Sequence, residues 1–112
     1  ASVNSVAVTA AGHVVSGSGD KTIKIWDLAS GRLLRSLEGH TASVNSVAVT
    51  AAGHVVSGSA DKTIKIWDLD SGESTDLFEN EAPILCMAVS PDGRWLAAGD
   101  ELGHVWIFKW IK

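Results

Sequence analysis

Residues 16–31 read "SGSGDKTIKIWDLASG", and residues 57–72 read "SGSADKTIKIWDLDSG". A chain of 112 residues gains little by copying a catalytic site. It gains a great deal by copying a block that cannot bury both of its own faces, because stacked copies then cover one another. Working outward, the shared text widens to residues 1–28 and 42–69, which differ only at Gly19 and Ala60 across a shift of 41 positions. After Gly31 and Gly72 the copies part into "RLLRSLEGHT" and "ESTDLFENEA". A third and more divergent unit begins near Ile84 with "ILCMAVSPDGRWLAAGDELGHVWIFKW". The predicted units are therefore 1–41, 42–83 and 84–112.

Within each unit the periodicity is that of strands. "SVNSVAV" alternates small or polar residues with Val, and "TIKIWDL" alternates with Ile, both rich in β-branched side chains. "TAAGH", "GSGDK", "GSADK", "LASG", "LDSG" and "SPDGR" are turn-like breaks. "RLLRSLE" and "STDLFEN" supply a fourth, more exposed strand. No stretch carries a helical apolar stripe. The pattern predicts an all-β chain built from units of four short antiparallel strands.

Composition narrows the function. Hydrophobic residues make up 46% and charged residues 20%, as in a soluble globular domain, and no apolar run reaches the length of a membrane helix. Nine basic against thirteen acidic residues give −4, which argues against a nucleic-acid footprint. Cys86 is the only cysteine, so an internal disulfide and a cysteine-cluster metal site are excluded. Its setting in "ILCMAV" predicts a buried small hydrophobe, and a reducing interior such as the cytosol is the default. No phosphate-loop or His-Glu-x-x-His motif is present, and no cofactor is expected.

The combined phrase "GH…V.SVAV…VVSGS.DKTIKIWD" resembles the WD-repeat pattern of β-propellers over essentially the whole chain. Gly39-His40 and Trp67-Asp68 are its two signature pairs in the second unit, and Trp26-Asp27 is the corresponding pair in the first. The resemblance implies a buried relay of His, Ser, Asp and Trp that ties loops to strands. Its members in the second unit are His40, Ser57, Asp61 and Trp67; in the first unit they are Ser16, Asp20 and Trp26. The chemistry suits the task, since Trp donates, Ser donates and accepts, His passes the bond across its ring and Asp accepts. In the third unit the matching positions are taken as Glu81, Ala98, Leu102 and Phe108, which leaves apolar packing by Trp95, Trp106, Phe108 and Trp110 to hold that blade.

Outside the family context, His40, Ser57 and Asp61 could suggest a hydrolase triad. A triad needs an exposed nucleophile beside an oxyanion hole, whereas Ser57 lies in a strand of Val and Gly. Asp20, Asp27, Asp61 and Asp68 sit in turns, and His13, His54 and His104 are each isolated. A catalytic reading is thus the remotest alternative.

Propellers close with about four to eight blades, and the resemblance implies a ring of around seven. Three blades leave two faces open. A standard interface covers about 800 Å² per partner, so an open face forfeits on the order of 10 kcal/mol of apolar burial against a total stability of about 5–15 kcal/mol. The expectation is that the arc joins a ring, by belonging to a longer polypeptide or by head-to-tail association. A homodimer giving six blades is favoured slightly over a homotrimer giving nine. The third blade is expected to lack its outer strand, leaving "HVWIFKWIK" as an edge that Lys109 and Lys112 guard.

The functional expectation is a non-catalytic interaction scaffold that binds itself and a further protein or peptide, with no nucleic acid and no membrane. Its partner-facing loops are expected to present Ser2, Asn4 and Lys21 in the first unit, and Ser43, Asn45 and Lys62 in the second. The alternative is a purely structural self-assembling repeat, recently duplicated or engineered, with no external partner.

Overall fold

The computed structural model describes residues 2–9, 11–50, 54–69 and 71–109. Eleven strands follow one another in three antiparallel meanders. The first sheet runs β1 (Val3–Val8), β2 (His13–Ser18), β3 (Thr22–Asp27) and β4 (Leu33–Glu38). The second repeats it as β5 (Val44–Val49), β6 (Val55–Ser59), β7 (Thr63–Trp67) and β8 (Ser74–Glu79). The third has β9 (Ile84–Val89), β10 (Trp95–Asp100) and β11 (Val105–Lys109) among the described residues. The chain is all-β, and its three sheets resemble propeller blades without closing a ring on themselves. Trp110 and Lys112 lie outside the described residues.

The turns explain the register. The β2–β3 and β6–β7 turns each place a lysine in the left-handed region, Lys21 at φ 79° and Lys62 at φ 76°, where the β10–β11 turn has Gly103 at φ 88°. Asp20 and Asp61 stabilise the turn by accepting from the backbone N–H of Thr22 and Thr63, each at 3.0 Å. Gly31 and Gly72 supply the positive φ needed between the third and fourth strands.

The sheets stack face on face through two apolar clusters. Val15, Ile23, Ile25 and Leu37 of the first sheet pack against Val44, Val47, Val55 and Trp67 of the second. Val56 and Ile64 of the second pack against Ile84, Leu96 and Ala98 of the third, with Phe78 wedged at 5.1 Å from both Trp106 and Phe108. The most extensive contact between sheets is made by the first strands, β1 with β5 and β5 with β9. Gly17 of β2 and Gly58 of β6 let the next sheet's first strand close over the second strand as well: a Cβ on Gly17 would lie 2.7 Å from Val44 Cγ1, and one on Gly58 would lie 2.5 Å from Ile84 Cγ2.

Two sequence expectations need correction here. Cys86 is exposed rather than buried, because its flank of β9 has no further sheet against it among the described residues, whereas the corresponding Ser46 of β5 is covered. Trp95 is also exposed, with the Lys109 ammonium 5.3 Å from its ring, so the third sheet is held by Trp106 and Phe108 without it.

Candidate functional site: a buried relay and the blade junctions

In the second sheet, the β4–β5 loop brings His40 against Ser57 of β6 and Asp61 of the β6–β7 turn. Trp67 Nε1 donates to Ser57 Oγ at 2.8 Å. Ser57 Oγ lies 2.6 Å from His40 Nε2, and His40 Nδ1 lies 2.8 Å from Asp61 Oδ2. A carboxylate only accepts, so Nδ1 carries the proton, Nε2 accepts from the Ser57 hydroxyl, and the chain runs one way from Trp67 to Asp61. Burial pushes the His40 pKa down and keeps the ring neutral, against the opposing pull of Asp61. Burial also works to raise the Asp61 carboxyl, but hydrogen bonds from Thr63, His40 and the Thr41 N–H outweigh it and bring it to about 2.

This constellation can hold a loop but offers no nucleophile. Ser57 is fully buried, and its oxygen already accepts from Trp67. Nor do the described residues contain a group of His, Cys, Asp or Glu able to hold a metal ion.

The first sheet assembles only part of the relay. Trp26 Nε1 donates to Ser16 Oγ at 3.0 Å, while Asp20 turns to Thr22 Oγ1 at 2.6 Å and Lys24 Nζ at 3.2 Å. Those bonds, from Thr22 above all, hold the Asp20 carboxyl well below the usual carboxylate range.

The third sheet departs from the sequence reading. Ala98, Leu102 and Phe108 occupy the positions of Ser57, Asp61 and Trp67, and the register Leu96↔Phe108 repeats Val55↔Trp67. Counted back from β9, however, the His40 position falls on Asn80 and not on Glu81, because four residues separate β8 from β9 where five separate β4 from β5. Polar chemistry is relocated rather than lost. Asp100, standing where the second sheet has Ser59, accepts from Trp106 Nε1 at 2.9 Å and Asn80 Nδ2 at 2.9 Å. It also accepts from the backbone N–H groups of Leu102 and His104, at 2.9 and 3.0 Å. His104 Nδ1 lies 3.2 Å away, so this histidine is not isolated. Burial opposes ionisation of Asp100, yet the donors from Trp106, Asn80 and His104 prevail and hold its carboxyl far below its ordinary value.

Asn4 and Asn45, expected in partner-facing loops, are instead strand residues that bridge sheets. A register irregularity falls between Val3 and Ser5 and recurs between Val44 and Ser46, which takes each asparagine out of the ladder. Asn4 Nδ2 then donates to Val44 O at 3.0 Å and to Ser43 Oγ at 2.9 Å, while Asn45 Nδ2 donates to Ile84 O at 2.8 Å. The adjacent serines repeat the device: Val47 N donates to Ser5 Oγ at 3.2 Å and Met87 N to Ser46 Oγ at 3.1 Å. Ser2 and Ser43 lean on Asn4 and Asn45, each at 3.4 Å, and Lys21 and Lys62 remain exposed at their turns.

Comparison with known proteins agrees with this geometry. Residues 40–110 match the family described as the TEP-1 C-terminal β-propeller, and residues 1–27 match the WD domain, G-beta repeat. The chain belongs to the WD-repeat β-propeller family. The WD40 β-propeller domain of Doa1 superposes with a TM-score of 0.86 at 31% identity, covering 98% of this chain and 37% of that one. Short stretches of these WD repeats also match curated relatives. A ribosome biogenesis protein BOP1 homolog of Drosophila grimshawi is 54% identical over 37 residues, 32% of this chain and 5% of the relative. A lissencephaly-1 homolog of Heterostelium pallidum is 60% identical over 30 residues, 27% of this chain and 7% of the relative. The chain thus aligns with a small part of each curated relative's length. WD-repeat propeller domains are typically non-catalytic scaffolds, and a protein-interaction module is the generic role of this architecture.

Proposed function

We propose that this chain is a non-catalytic WD-repeat module whose blades join head to tail with those of further copies into a closed ring, and that the ring serves as a protein-interaction scaffold. One observation carries the reading: residues buried at the internal junctions recur, in the same strand positions, bare on the outer flanks. Val44 is 0% and Val47 5% exposed, whereas their counterparts Val3 and Val6 on the leading flank are 62% and 63% exposed. On the trailing flank, Ile64 is 0% exposed and its counterpart Val105 is 70% exposed. Surfaces built to be covered are uncovered at both ends of the arc, and such apolar patches mark interaction sites.

Rings of six blades from two copies fit the usual blade range, with nine from three copies as the next solution. The face bearing Lys21, Lys62, Ser2 and Ser43 is the loop surface for a protein or peptide partner. Light scattering coupled to gel filtration tests the association. A mass of two or three subunits at micromolar concentration is the expected result, and only 11.7 kDa species would overturn it.

A further inference from the structure

We infer, resting on the head-to-tail reading above, that the junction between copies has a defined register: Val3 of a second copy seats over Gly99, and its Val6 N–H faces Cys86 Sγ. The same surface is already seated within the chain. Val44 closes over Gly17 and Ile84 over Gly58, and Gly99 is the third member of that series. The first-strand serine that receives the next blade's N–H is Ser5 toward Val47 and Ser46 toward Met87. Pairing of Gly58 with Ser46 and of Gly99 with Cys86 places the thiol at that serine's position.

The third member of the asparagine series is likewise identifiable. The irregularity between Gly99 and Asp100 skips Leu85, as those in the earlier sheets skip Asn4 and Asn45. Leu85 is 48% exposed on the flank where the asparagines reach the next blade. The occupant that fits is a second copy of this chain, because its leading flank repeats, residue for residue, the β5 surface that docks on the first sheet. The junction between copies differs from the internal ones in one respect: Leu85 has no amide to donate to Val3 O. It packs by apolar contact alone and is the weakest link in the ring.

A Val6→Cys variant of the full chain, oxidised under mild conditions, tests the register. The expected product is a covalent oligomer in which peptide mapping joins the new thiol to Cys86, absent from the parent and from an Ala29→Cys control at an exposed turn remote from both flanks. A multi-subunit mass by light scattering without that cross-link overturns the register while sparing the ring. A purely 11.7 kDa mass removes both. Separately, Leu85→Asn is expected to tighten self-association by about two- to tenfold, the worth of one added hydrogen bond. Unchanged or weaker association would contradict the placement of Leu85 at the junction.

Discussion

Replacing Ser57 by alanine removes the one atom on which two buried groups depend. Trp67 Nε1, on a side chain 1% exposed, loses its acceptor, and His40 Nε2 loses its donor. Each stranded polar group costs about 1–3 kcal/mol, so the substitution should destabilise the chain by about 2–6 kcal/mol. The duplication provides the control. Ser16→Ala makes the same change in nearly the same sequence, but Trp26 is only half-buried and Ser16 has no histidine partner within the described residues. Its expected cost is about 1 kcal/mol or less. Urea unfolding should be followed at one fixed chain concentration, because the proposed association would contribute to apparent stability. Equal losses in the two variants, or a loss below about 1 kcal/mol for Ser57→Ala, would refute the claim that the buried relay stabilises the second blade beyond its local turn.

Two other predictions follow from the same geometry. Since burial lowers the His40 pKa below its ordinary 6.5, the unfolded chain takes up the proton first; the contribution to stability is complete above that value and declines as pH falls through the folded one. Asp61 adds a second loss between 3.8 and about 2, as its carboxylate is protonated. Thermal melts from pH 8 to 2 should show both, the first being reduced in His40→Gln; a flat profile between pH 7 and 5 contradicts the neutral assignment. At the second junction, Gly58→Ala forces a methyl to 2.5 Å from Ile84 Cγ2 and should cost about 1–3 kcal/mol. Gly19→Ala, whose Cβ would meet nothing nearer than Ser2 Oγ at 3.5 Å and whose counterpart is already Ala60, should be neutral; equal effects in the two melts would show that the junction is loosely packed.

The sequence carried what is local and repeated. Alternating Val and Ile, the Asp-Lys turns and a duplicated phrase suffice to define strands and repeated units, and the His, Ser, Asp and Trp positions follow from the resemblance to WD repeats. What escaped it is non-local. Asn4 and Asn45 bond to backbone carbonyls of the next sheet, and a carbonyl acceptor leaves no trace in residue type. Asn80 was hidden by one residue missing from the loop before β9, which moved the expected position to Glu81. Asp100 was the more visible omission: a carboxylate in an apolar strand, with His104 and Trp106 four and six residues later, is a signal of a satisfied buried acceptor. Cys86 was misplaced because burial of a strand face depends on what is stacked against it.

The three sheets meet most extensively along β1, β5 and β9, like spokes fastened at a hub. Fasteners at the hub fix the distance between neighbours but leave the opening angle to whatever fills the wedge farther out, near Leu37, Phe78 and the Arg35 guanidinium that bonds Leu69 O at 3.0 Å. Bulk added or shaved there would widen or narrow the fan without disturbing a single fastener. The circumference of the proposed ring would then be adjustable by its outer side chains, while the phrase itself stays the same.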